Sequence, residues 1–251
     1  RHPLDVHVHL RPAKQPDRSG ARLWVRPTTL ALALASAFSP AWVAAQNLPT
    51  GGVAIHGTAS FDTTQANRLL VTTQNGAGTN HSSINWQSFS IGVGNTTRIE
   101  QPSVTSTSIN RVVTNTPSQL FGTLSSNGNV VLVNQSGIAV GAGALVDTAG
   151  FTASAVALSE ADAASGRLRF QNNSNNLSSG ASSGALSVQG NIIARGGDVV
   201  LIAPNVDLAR TAVVEAPGGA VILAAGQSVE VTGRGLEGIT LQVQAPTDQA
   251  L

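Results

Sequence analysis

The chain has 251 residues, a formal net charge of +1, 11% charged and 4% aromatic residues, and no Cys, Met or Tyr. That length supports one sizeable core or two small ones. The missing Cys excludes a disulfide scaffold, an iron–sulfur protein and a Cys-ligated zinc module, and the low charge argues against a disordered polyelectrolyte.

Charge is unevenly placed. Residues 1–45 hold Arg1, Arg11, Lys14, Arg18, Arg22 and Arg26 against only Asp5 and Asp17, whereas the region from Gln46 onward holds eight Arg, no Lys and eleven acids. The later region lacks the cation density that phosphate neutralisation requires, so no nucleic-acid partner is expected. The first segment has the three parts of an export signal. Arg22 and Arg26 supply the positive start, Leu30–Phe38 the apolar run, and Val43-Ala44-Ala45 the small residues before a cleavage point. Residues 1–45 are therefore expected to be a leader with a secretory signal peptide, and residues 46–251 the exported domain. The apolar run is too short for a bilayer of about 30 Å, so no permanent membrane span is expected. With no Met, Arg1 is not expected to be the translation start. His7-Val-His9 matches the strand-end His-x-His of metal-dependent amidohydrolases, but further ligands are needed. Only His56 and His81 follow, and both are expected to lie isolated on the surface.

From Gln46 on, apolar residues come in short runs bounded by Gly, Asn, Ser or Pro. They include Val130–Val133, Ile138–Val140, Val199–Ile202, Val213-Val214, Val221–Leu223, Val229–Val231 and Ile239–Val243. This is strand-and-turn chemistry. Phe151–Leu168, rich in Ala and Ser, is the exception and is read as a short helix or loop excursion. Val199 precedes Val221 by 22 residues, Val206 precedes Val229 by 23, and Val221 precedes Ile239 by 18. Units near that length hold two or three short strands and cannot bury a core alone, so they stack. An all-β parallel β-helix follows, with rungs about 4.8 Å apart. A β-sandwich, the alternative, calls for clearer hairpins and more aromatic core residues. A solenoid's first coil exposes strand edges; Val53–Leu70, around Phe61, is the expected cap.

Residues 84–150 carry an ordered set of motifs: Ile84-Asn85-Trp86 through Gly92, Gln101-Pro102, Ile109-Asn110-Arg111-Val112, Leu124 through Asn127-Gly128, Val130 through Asn134-Gln-Ser-Gly137-Ile138, and Gly141 through Asp147. This succession resembles the N-terminal secretion domain of filamentous haemagglutinin-like proteins, the exported partners of two-partner secretion systems. The resemblance runs from about Leu48 to Ala245 and rests on the order of the motifs. The family's Asn-Pro-Asn-Gly-Ile stands here as Asn134-Gln-Ser-Gly137-Ile138, and no Asn-Pro-Asn-Leu is present.

The resemblance implies a right-handed parallel β-helix with an N-terminal β cap and short extra-helical strands. It also implies Sec export in a Gram-negative bacterium, engagement by an outer-membrane β-barrel transporter with periplasmic modules, and folding at the cell surface. Relatives are large adhesins, haemagglutinins or toxins that meet a host glycan or receptor through downstream regions, so the chain is expected to be the N-terminal piece of a larger exoprotein. The implied secretion motif comprises Asn85, Trp86, Gln101, Pro102, Asn110, Arg111, Asn127, Gly128, Asn134, Gly137 and Ile138.

Read physically, the Asn residues bond backbone at turns or stack as ladders. Gly128, Gly137, Gly141 and Gly143 suit corners, and Trp86 and Phe89 fill the first coils. Arg111 could neutralise Glu100 or Asp147, or clamp carbonyls. Two rival functions are a self-contained carbohydrate-binding adhesin and a polysaccharide-active β-helix enzyme. The enzyme needs clustered acids, and the nearest pairs are Glu160/Asp162 and Asp198/Asp207. No Walker loop or His-Glu-x-x-His occurs, and Gly141-Ala-Gly143 lacks the third Gly of a dinucleotide fingerprint. No enzyme activity and no cofactor are expected.

Overall fold

A computed structural model describes residues 48–172, 184–226, 228–233 and 239–242. The leader, its signal peptide and the His7/His9 pair lie outside the described residues.

The chain winds through three faces in turn. The wide face stacks β4 (His81–Trp86), β6 (Thr107–Val112), β9 (Asn129–Val133), β12 (Gly150–Ser154), β16 (Val199–Ala203) and β19 (Val221–Ala225). The narrow face stacks β7 (Ser118–Leu120), β10 (Ile138–Val140), β14 (Leu186–Val188) and β17 (Val206–Leu208), with Ile91 bridged below to Leu120. The third face stacks β3 (Arg68–Gln74), β5 (Thr96–Glu100), β8 (Thr123–Ser126), β11 (Leu145–Thr148), β15 (Asn191–Ala194) and β18 (Val213–Glu215). Every pairing among these strands is parallel. The molecule is a parallel β-helix.

Alternation sets which residues point inward. On the third face one inner row runs Leu69, Thr97, Leu124, Val146, Ile192 and Val214 in successive register. On the wide face, inner rows run Ser82, Ser108, Val130, Phe151, Val199 and Ile84, Asn110, Leu132, Ala153, Leu201. The opposite side of the wide face is buried too, through Ile109, Val131, Val200 and Ile222. Strands covered on both sides read as unbroken apolar runs, which is why Val130–Val133 and Val199–Ile202 do not alternate.

A second layer covers that outer side. After β12 the chain leaves the coil through α1 (Glu160–Ser165) and β13 (Leu168–Gln171). Ser159 caps α1 by accepting from Asp162 N, and Gly166 ends it in the left-handed region (φ 74°). Strands β20 (Ser228–Val231) and β21 (Ile239–Gln242) join β13 in an antiparallel three-stranded sheet. Buried Phe170, Val229, Val156, Leu158 and Ala163 close this outer core.

Two expectations change here. The spacing of 22 from Val199 to Val221 is a rung pairing. Those of 23 and 18 are not, because Val229 pairs with Phe170 and Ile239 with Val231. The apolar outer side of the wide face draws those strands off the coil path. The excursion also starts later than expected, since Phe151–Ser154 is strand β12.

The cap is β1 (Val53–His56), antiparallel to β4, and β2 (Thr58–Asp62), antiparallel to β3. Phe61 packs edge-on against Trp86, with centroids 5.3 Å apart. Leu70 belongs to the first coil instead, because β3 pairs in parallel with β5. His56 and His81 are not isolated: the β1–β4 pairing stacks their rings, and His81 is buried.

Candidate functional site

The sequence motifs fall into four clusters, three of them largely interior. At the corner after β5, the Asn127 side chain replaces a missing rung. Its Nδ2 donates to Gln101 O and its Oδ1 accepts from Gln101 N, both at 2.8 Å. Gln101 in turn donates from Nε2 to Ser126 Oγ (3.0 Å) and Asn129 O (2.8 Å). A Cβ at Gly128 would sit 2.6 Å from Gln101 Cδ, so only glycine lets the amide in. Pro102 follows in the turn and is exposed.

The second cluster lies inside the first coils. Trp86 Nε1 donates to Asn110 Oδ1 at 2.9 Å, and Asn110 Nδ2 donates to Ser108 O and Oγ, both at 3.1 Å. Trp86, 1% exposed, also meets Phe89 edge-on at 5.4 Å. A buried indole N–H needs such a partner.

The third cluster tethers α1. Arg111 donates from Nε to Leu158 O (2.9 Å) and from Nη1 to Asn85 Oδ1 (2.7 Å), while Asn85 Nδ2 donates to Glu160 Oε2 (3.0 Å). Arg111 Nη1 also lies 3.6 Å from Glu160 Oε2. Burial pushes the Arg111 guanidinium below its ordinary range, and the Glu160 charge and hydrogen bond oppose that. The expected carbonyl clamp is present. The expected partners Glu100 and Asp147 are not: Glu100 pairs with Arg98 on its own strand, and Asp147 holds Arg195 through two 2.6 Å bonds. Both of those acids lie on the third face, whereas Arg111 lies on the wide face.

The fourth cluster turns the chain from the wide to the narrow face. Asn134 is fully buried; Nδ2 donates to Thr116 O and Ser118 Oγ, both at 2.9 Å, and Oδ1 accepts from Ser136 N at 2.9 Å. Gly137 sits at φ 109°. Ile138, 2% exposed, faces Ser118 below and Leu186 above.

The surface chemistry is sparse. A groove of about 540 Å³ runs between the glycine corner and the extra-helical sheet, lined in part by Asn129, Gly150, Leu168, Asp198 and Val231. Asp198 Oδ1 accepts from Ala220 N at 2.8 Å. Glu160 is taken by Asn85 and Arg111, and Asp162 accepts the Ser159 hydroxyl at 2.6 Å. Among the described residues no three His, Asp or Glu gather as metal ligands, and no helix is long and apolar enough to cross a membrane.

A family model described as TPS secretion domain matches residues 45–249. The chain belongs to the TPS secretion domain family. The secretion domain is also similar to the solved HMW1 secretion domain from Haemophilus influenzae, with a TM-score of 0.68 and 28% identity over 79% of this chain and 50% of that one. Two heme/hemopexin-binding proteins of H. influenzae are 30% and 32% identical over 113 and 112 residues. Each match covers 45% of this chain and 12% of the relative.

Sequence reasoning missed the supporting residues of this secretion domain: Ser108, Ser118, Ser126 and Glu160. The hydroxyls carry no motif of their own. Their signal is positional, since Ser108 and Ser126 fall where the strand alternation demands inward residues.

Proposed function

We propose that this secretion domain is the address region of a larger exported protein. Residues 1–45 are the leader, removed after inner-membrane export, and residues 46–251 are the domain read in the periplasm. The partner is an outer-membrane β-barrel transporter with periplasmic modules. The chain passes outward through it and completes its β-helix at the cell surface. Any host glycan or receptor, and any cargo like the heme or hemopexin in the relatives' names, belongs to regions beyond the matched stretch.

The observation that carries this reading is the burial of the motif. Trp86, Gln101, Asn110, Asn134 and Ile138 are all buried. In the folded domain these side chains shape corners and coils, while a partner meets the surface they hold or the strands before they coil. Strand addition to the transporter's modules fits the second case. Among the described residues the edge strand β2 pairs only with β3, and its residues are mostly exposed.

The test measures binding of the exported chain to the periplasmic modules, alongside export of Asn110→Ala and Asn134→Ala chains. Specific binding and impaired export are expected. Equal binding of a scrambled chain of the same composition would overturn the recognition claim. Undiminished export of both variants would remove those residues from the motif.

A further inference from the structure

The His56–His81 pair joins three elements that the coil alone does not hold together. β1 pairs with β4 through Val53↔Asn85, Ala54↔Ile84 and His56↔Ser83, with a register shift between Ala54 and His56. The extra residue re-aims His56 along β4. Its ring lies over His81 with centroids 4.3 Å apart and planes inclined by 17°. Glycine closes both ends of the stack. A Cβ at Gly76 would collide with the His56 ring, and one at Gly166, the end of α1, would lie 2.7 Å from His81 Cε1. The cap strand, the first coil and the excursion helix therefore meet on two imidazoles.

Both rings are hydrogen-bonded. The Thr79 hydroxyl lies 2.9 Å from both Gly76 O and His56 Nε2. His81 Nε2 faces Ala164 O at 3.1 Å, which can only accept. The neutral His81 ring thus carries its hydrogen on Nε2.

No acid stands ready to neutralise a charged stack. β1 and the turn 75–80 offer no titratable group besides His56. On β6, Arg111 is a cation held by Leu158 O, Asn85 and Glu160. On α1, Glu160 serves Asn85 and Arg111, and Asp162 serves Ser159. Beyond α1, Arg167 and Arg169 turn to Glu230. Among the described residues no ion pair reaches either ring.

We propose that the His56–His81 stack is an acid-sensitive latch that fastens the N-terminal cap to the first coil at neutral pH and releases it when His56 is protonated. Burial, then the neighbouring His81, hold His56 below the ordinary histidine range. The sign follows. The opened cap binds protons more readily than the closed one, so closure is fully present above the unfolded histidine value of about 6.5 and is lost as pH falls below it. The aliphatic coils at β16 carry no such group and do not respond.

Hydrogen exchange on the full chain tests this between pH 8 and 5, corrected for intrinsic exchange. Opening of β1 amides is expected to rise on the order of tenfold per pH unit for each additional proton bound by the open state, with β16 amides as the unchanged reference. His56→Phe keeps a stacked ring without a basic nitrogen and should flatten the rise. An unchanged pH profile in that variant overturns the latch. Ring titration of the unmodified chain by NMR decides independently of the variant's folding. A His56 step below the ordinary histidine range, with β1 shifts following it, is expected; an ordinary His56 titration overturns it.

Discussion

The early and late coils fill the same space with different chemistry. In the early coils the inward rows hold Ser82, Ser108, Asn110 and Thr97; further along the same rows stand Phe151 and Val199, Ala153 and Leu201, and Val146 and Ile192. Aliphatic rows supply most of the burial free energy but tolerate many arrangements. A buried amide or hydroxyl contributes less on balance and accepts only a few geometries. The early coils therefore specify register and corner shape, and the late coils supply cohesion.

Substitutions in either set of coils test this division, and changes in urea midpoint measure each case. The largest effect should come from the late rows. Ile192→Ala empties a fully buried position between Val146 and Val214, and about 2–5 kcal/mol of stability should be lost. A loss near zero would mean the aliphatic rows are loosely packed.

Asn110→Ala should cost about 2 kcal/mol, since it leaves the Trp86 N–H without its buried acceptor. Trp86→Phe added to that background should cost less than in the parent chain, with a coupling on the order of 1 kcal/mol. Strict additivity would show that the bond specifies nothing.

Asn127→Ala removes two bonds to the Gln101 backbone at a half-buried corner. About 1 kcal/mol should be lost. The smallest change should be a gain. The Thr97 hydroxyl is fully buried without a partner among the described residues, so Thr97→Val should raise stability by up to about 1 kcal/mol. A loss would show that this hydroxyl stabilises the early coils.

Much of this was legible in the residues. Val130–Val133 and Val199–Ile202 announce strands covered on both sides, and the 22-residue step from Val199 to Val221 gives one turn of the coil. The same apolar pattern misled beyond Val221. A strand such as Val229–Val231 looks alike whether it continues a rung or folds back on β13, and only the burial of Phe170 decides between them. The motif residues were legible as turn and core formers, but their partners were not. Asn127 meets Gln101 across 26 residues, and Arg111 meets Leu158 across 47. The histidine stack depends on a bulge in β1 that no residue in Val53–His56 signals.

Rung-upon-rung stacking resumes after the excursion, with Ala139 directly beneath Ser187 although 48 residues separate them. Because the chain has no Cys, paired substitutions report that contact directly. Ala139→Cys with Ser187→Cys places two thiols on adjacent parallel strands, within disulfide reach, and rapid cross-linking without loss of structure is predicted. Ala139→Cys with Asp207→Cys, two rungs apart, should not link. Linking of the second pair in preference to the first would contradict the coil.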